Sequence, residues 1–130
     1  MMYAVVRIRG TINAKGEIRD TLKMLRLYHI NNCTIIPETK SFKGMLQKVK
    51  DYVTWGEIDK ETIEMILEKE GLDASNAEKI LEGKVKDVLH LPIRLHPPIK
   101  GYKSIKKPYS MGGSLGYRGK EINELIRRML

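Results

Sequence analysis

The sequence predicts an α+β fold: a small three-stranded sheet with two helices on one face, then a helical insert, then an extended basic tail ending in a helix. Three observations carry this. Short β-branched or alternating apolar runs occur near residues 3–9, 33–37 and 52–58, and two segments with apolar residues at helical spacing separate them. After residue 58 the texture changes twice, first to acidic and helical, then to a stretch rich in Pro, Gly and Lys.

In the first strand, Tyr-Ala-Val-Val-Arg-Ile-Arg, Ala4, Val6 and Ile8 fall on one face and Val5, Arg7 and Arg9 on the other. This reading directs Arg7 and Arg9 together, away from the core, toward a sheet face that no helix covers. Gly10 opens a loop that carries Lys15 into a helix over residues 17–28, where Ile18, Leu22 and Leu25 form the apolar side and Arg19, Lys23 and Arg26 a basic row. Asn31-Asn32 breaks the chain before the strand from Cys33 to Pro37. The second helix, residues 40–50, repeats the plan: Phe42, Met45, Leu46 and Val49 make a stripe, and Lys40, Lys43, Gln47 and Lys50 lie outside it. Thr39 or Ser41 supplies the cap. A single charged row is an ordinary solvated face; two helices with the same plan make a surface of fixed cations. Val53 and Trp55 share one face of the third strand.

Asp59 caps a helix over residues 60–70 that Gly71 stops, and Ser75-Asn-Ala-Glu78 has the form of a capping box for a second short helix. Residues 84–95 return the chain to the core, and Pro92 argues against a central strand there. From His96 to Gly119, Tyr102, Tyr109 and Tyr117 are interleaved with Lys100, Lys103, Lys106, Lys107 and Arg118, while few residues can build a core. Such a segment is expected to be extended and mobile alone and to order on RNA, cations meeting phosphates and rings stacking on bases. Ile122, Leu125, Ile126 and Met129 then mark a closing helix.

The net charge of +8 is segregated: +5 over residues 1–58, −4 over 59–90 and +7 over 91–130. Two basic regions flanking an acidic one suit a protein laid against a polyanion along some surfaces only. Three parts follow: a βαβαβ RNA-binding core (1–58), an acidic helical insert (59–90), and a basic tail whose final helix packs back on the core (91–130). No apolar run reaches membrane-spanning length and the N-terminus lacks a leader pattern, so neither export nor membrane partnership is expected. The single cysteine, Cys33, reads as a small buried hydrophobe in a reducing cytoplasm. His29, His90 and His96 are scattered, so no metal site is expected, and no nucleophile–base pair points to catalysis or a cofactor. Gly113–Gly116 and Gly116–Gly119 match a GXXG loop only by spacing and read as turns.

The runs Ala-Val-Val-Arg-Ile-Arg-Gly-Thr-Ile-Asn and Ile-Pro-Glu-Thr-Lys-Ser-Phe-Lys-Gly-Met-Leu-Gln-Lys-Val-Lys-Asp-Tyr-Val-Thr-Trp-Gly-Glu-Ile resemble the large-subunit ribosomal protein thirty family. Arg-Leu-His-Pro-Pro and the tail Gly-Gly-Ser-Leu-Gly-Tyr-Arg-Gly are similar to its archaeal branch, whose eukaryotic counterpart is numbered seven. The resemblance implies a sheet related to ferredoxin-like folds and a non-enzymatic constituent of the cytoplasmic large ribosomal subunit that binds its rRNA. It implies RNA contacts at Arg7, Arg9, Lys15, Arg19, Lys40, Lys43 and Lys50, and in the tail at Arg94, Lys100, Lys103, Lys106, Lys107 and Arg118. Neighbouring ribosomal proteins are further expected partners, with the acidic insert as the candidate surface. The alternatives are a small-molecule-binding regulatory α/β module, or an RNA-binding protein outside the ribosome.

Overall fold

The computed structural model describes residues 2–10, 15–83, 93–99, 101 and 104–130, with 104–107 described by their backbone alone. The chain runs β1 (Met2–Arg7), α1 (Gly16–Met24), β2 (Asn32–Pro37), α2 (Lys40–Lys48), β3 (Val53–Glu57), α3 (Lys60–Lys69), α4 (Ala77–Leu81), β4 (Ile93–Arg94), β5 (Ser104–Pro108), β6 (Gly113–Tyr117) and α5 (Ile122–Met129). The expected βαβαβ unit is present, with β1 between β2 and β3 and antiparallel to both. Val5 sits opposite Thr34 on one side and Trp55 on the other.

The sheet extends further than three strands, in the order β4-β2-β1-β3-β6-β5. On one edge, β4 adds two residues to β2, a short edge strand consistent with Pro92 just before it. On the other side, β6 runs parallel to β3, with Thr54 opposite Gly116 and Trp55 opposite Tyr117, and β5 pairs parallel with β6 as the outer strand. The tail is therefore a correction: 113–117 is built into the sheet. Long-range bonds supply what its composition lacks, since the Thr54 hydroxyl donates to the Gly116 carbonyl (2.8 Å) and the Arg118 amide to that of Trp55 (2.9 Å).

The uncovered face is a second correction. Tyr3, Val5, Ile36, Val53 and Trp55, on the sheet face expected to stay open, pack against Leu22 and Leu25 of α1 and Leu46 of α2. On the opposite face Met2, Ala4, Val6, Cys33 and Ile35 pack against Ile63, Ile66 and Leu67 of α3 and Ile122, Leu125 and Ile126 of α5. That face is as apolar as the first, so it requires its own helical layer. Residues from all three sequence segments share this second cluster.

The first helix is shorter than its apolar period suggests. The Leu27 amide reaches the Leu22 carbonyl (2.9 Å) and that of Arg26 reaches Lys23 (3.0 Å), with Arg26 left-handed at φ 60°, which is a Schellman stop. Asp59 caps α3 as expected, accepting from the Thr62 amide at 2.8 Å. Ser75 does not act as a cap: Asp73 accepts from the Ser75 amide (3.0 Å) and opens the 3-10 turn Ala74–Asn76 that leads into α4. The expected return of 84–92 to the core lies outside the described residues.

The C-terminal segment is fastened at the end of β3. Asn123 accepts from the Asp59 amide (2.9 Å) and donates to the carbonyls of Glu57 (3.0 Å) and Lys120 (2.9 Å). Beside it, a Cβ on Gly56 would lie 1.8 Å from the Gly119 carbonyl oxygen. Gly56→Ala is expected to force the two backbones apart and cost at least about 2 kcal/mol. Asn123→Ala is expected to cost about 1–3 kcal/mol by stranding buried backbone groups. Urea unfolding of each variant checks both values.

Candidate nucleic-acid interface

Helices α1 and α2 lie side by side on one sheet face because each buries its apolar stripe there. Their outward sides carry the predicted cations. Lys48 of α2 bridges Glu17 of α1 at 2.9 Å and holds that carboxyl below its usual range, so the two basic rows share one surface. Thr39, rather than Ser41, caps α2 by accepting from the Phe42 amide at 3.2 Å. Lys15, Arg19, Lys40, Lys43 and Lys50 are all exposed. Lys43 pairs with Glu38 at 3.1 Å, whereas neither Lys40 nor Lys50 has an ion-pair partner among the described residues.

Gly44 lies in the middle of this outward side, one turn from Lys40 and from Lys48. A Cβ there would meet nothing within 4 Å. Glycine inside a helix costs about 0.5–1 kcal/mol relative to alanine. Nothing among the described residues requires that cost. A bare stretch of helix backbone among lysines does suit close approach by a partner.

Two predicted cations are placed otherwise. Arg7 is buried: because its face of the sheet is covered by α1, its guanidinium turns to donate to the carbonyls of Leu27 (3.0 Å), Tyr28 (2.8 Å) and Arg9 (3.0 Å). Burial also pushes its pKa down. Arg118 is buried as well, donating to the Thr54 hydroxyl (2.8 Å) and the Ser114 carbonyl (2.7 Å), with its guanidinium 4.8 Å from the Tyr109 ring centre. Both fasten the fold and are not surface cations. Arg9 is half-buried, 5.5 Å from the Tyr52 ring centre. Arg94 is exposed on β4, at the edge of the sheet opposite β5. Lys100, Tyr102 and Lys103 lie outside the described residues, as do the side chains of Lys106 and Lys107 in β5.

Tyr109 and Tyr117 come together with residues that the sequence pattern alone does not single out. Tyr117 is 50% exposed and tilts against Trp55 and Tyr3, ring centres 6.4 and 6.5 Å away. An open cleft of about 480 Å³ separates the end of α2 from the Pro108–Tyr117 segment, with Trp55, Tyr109 and Tyr117 in its walls and Gln47, Lys50 and Asp51 on the α2 side. An adjoining hollow of about 270 Å³ reaches Lys43 and Tyr3. Among the described residues no group of His, Cys, Asp and Glu could hold a metal ion, and no helix is long and apolar enough to cross a membrane.

Residues 3–53, from β1 to the start of β3, match the family described as Ribosomal protein L30p/L7e. Beyond that core, the chain is 47% identical over 154 aligned positions to the large ribosomal subunit protein uL30 of Methanococcus vannielii, spanning the whole of both. The chain belongs to the uL30 family. The uL30 protein of Methanocorpusculum labreanum is 43% identical, covering 98% of this chain and 99% of that one. That of Thermoplasma volcanium is 47% identical, covering 99% and 93%. The 154-position alignment leaves 24 positions without a residue in this 130-residue uL30 chain, so it is a compact member.

Tyr3 provides a pH test of the site's floor. Burial, with a bond to Glu38, pushes its pKa up to about 12. Unfolded tyrosine titrates near 10. The stabilisation is therefore fully present below pH 10 and is lost as pH rises from about 10 to 12. Chemical unfolding followed across that range is expected to show the decline, and Tyr3→Phe to make it shallower, with the remainder coming from Cys33, pushed up to about 12 by burial, and Tyr117, raised by its bond to Glu57.

Proposed function

We propose that this chain is a structural constituent of the cytoplasmic large ribosomal subunit that binds large-subunit rRNA through the outward side of α1 and α2, with no chemical step. The observation that carries this reading is the glycine-centred basic side of α2, in a chain whose whole length aligns with archaeal uL30 proteins. Lys40, Lys43 and Lys50 meet phosphates, Lys15 and Arg19 extend the contact along α1, and Gly44 lets the nucleic-acid backbone come against the helix. Affinity comes mainly from phosphate neutralisation and specificity mainly from shape and 2′-hydroxyl contacts. The tail cations Lys100, Lys103, Lys106 and Lys107, with Tyr102, add further RNA contacts, and Arg94 makes a separate contact at the β4 edge. The acidic side formed by α3 and α4, which carries exposed Met65 and Leu81, receives a basic neighbouring ribosomal protein.

Two variants test the placement. Lys40→Ala with Lys43→Ala is expected to weaken binding to large-subunit rRNA fragments and to flatten the log–log salt slope by roughly 0.7–0.9 for each phosphate no longer neutralised. Gly44→Ala is expected to stabilise the free protein by about 0.5–1 kcal/mol while weakening RNA binding. Denaturation and filter binding on the same variant read both. An unchanged salt slope, or Gly44→Ala that leaves RNA affinity intact, would remove α2 from the interface.

A further inference from the structure

We propose that the cleft between the end of α2 and the Pro108–Tyr117 segment holds a single unstacked guanine of the bound RNA; the inference rests on the RNA-binding reading above. The walls fit a flat ring. Tyr109 and Tyr117 face the cleft with Leu115, and Trp55, only 5% exposed, forms its floor. About 480 Å³ is ample for one base with part of its ribose. Aromatic side chains that accept an unstacked base are the usual means of reading single-stranded RNA.

The polar groups narrow the choice of base. Asp51 is exposed at the cleft, and its carboxylate has no hydrogen-bond or ion-pair partner among the described residues. A carboxylate only accepts. It repels phosphate, so the parts of a nucleotide that can meet it are the donors of the base and the ribose hydroxyls, and in a cleft walled by aromatic rings the base is the part that enters. Guanine is the base whose pairing edge offers two adjacent donors, N1–H and the 2-amino group, and a carboxylate accepts both at once. Gln47 adds an amide donor and acceptor on the same wall. Lys50, also without an ion-pair partner among the described residues, stands at the rim where the attached phosphate would lie. The cleft thus opens beside the basic side of α2, and a strand neutralised there has its base within reach of the aromatic walls.

The chain's single tryptophan gives the test one emitter, because Trp55 lines this cleft and the hollow that adjoins it. The full chain is titrated with the RNA pentamers UUGUU, UUIUU (inosine, which lacks the 2-amino group) and UUUUU, and with free GMP. Wild-type protein is expected to bind UUGUU about tenfold more tightly than UUUUU with a change in Trp55 emission, UUIUU falling between. Asp51→Asn is expected to abolish the preference without weakening UUUUU. Tyr109→Ala is expected to weaken UUGUU more than UUUUU. Lys40→Ala is expected to weaken all three pentamers in proportion. GMP is expected to compete only at higher concentration than UUGUU; tighter binding of GMP would assign the cleft to a free nucleotide and overturn the proposal. RNA binding with no guanine preference or no Trp55 response would also overturn it, leaving the proposed function standing. Failure to bind either the pentamers or large-subunit rRNA would overturn both.

Discussion

Strand β1 has no side that tolerates water, because Tyr3 and Val5 point one way while Met2, Ala4 and Val6 point the other, all at most 5% exposed. A central strand of this kind needs an apolar layer on each face, and one pair of helices cannot supply both. The first layer comes from α1 and α2, the second from α3 and α5, with Ile80 of α4 in the same cluster. The C-terminal helix is thus part of the core as much as β1 is. Its docking is fixed where Gly56 meets Gly119 and where Asn123 bonds to both Asp59 and Glu57.

This two-layer requirement also sorts the charge. The basic rows of α1 and α2 lie on one side of the sheet, and the acidic residues of α3 and α4 on the other. Two cations on the acidic side are locally paired: Lys60 with Glu78 at 3.2 Å, and Arg127 with Glu61 at 3.3 Å. Exposed pairs of this kind add little stability, but they offset those two charges locally. Lys40 and Lys50 have no such partners among the described residues, so their charge remains available to a polyanion. The segregation visible along the sequence becomes a segregation between the two sides of one molecule.

Much of this was legible in the residues. The order βαβαβ, the caps at Thr39 and Asp59 and the exposed cations of α2 follow from local rules of period and capping. Local rules also account for the misses. The run Tyr-Ala-Val-Val is apolar at every position, the signature of a strand buried on both sides, yet Arg7 and Arg9 suggest one wet face. The packing of α1 instead encloses Arg7 and satisfies it with three carbonyls. Strand β6 was unreadable because Gly113–Tyr117 acquires its order from partners about 60 residues away, Thr54 and Trp55. Asp51 and Trp55 could not be joined to Tyr109 without that pairing. Gly44 carried a usable signal, a glycine in the centre of a predicted helix, that periodicity alone does not score.

The most direct test is fractionation of cell extract on sucrose gradients at low and high salt, following wild-type protein and the Lys40→Ala, Lys43→Ala double variant by immunoblot. Wild-type protein is expected to stay with the large-subunit peak at high salt, and the variant to be released at lower salt. Wild-type protein found only in light fractions at both salts would contradict a role as a constituent of the large subunit.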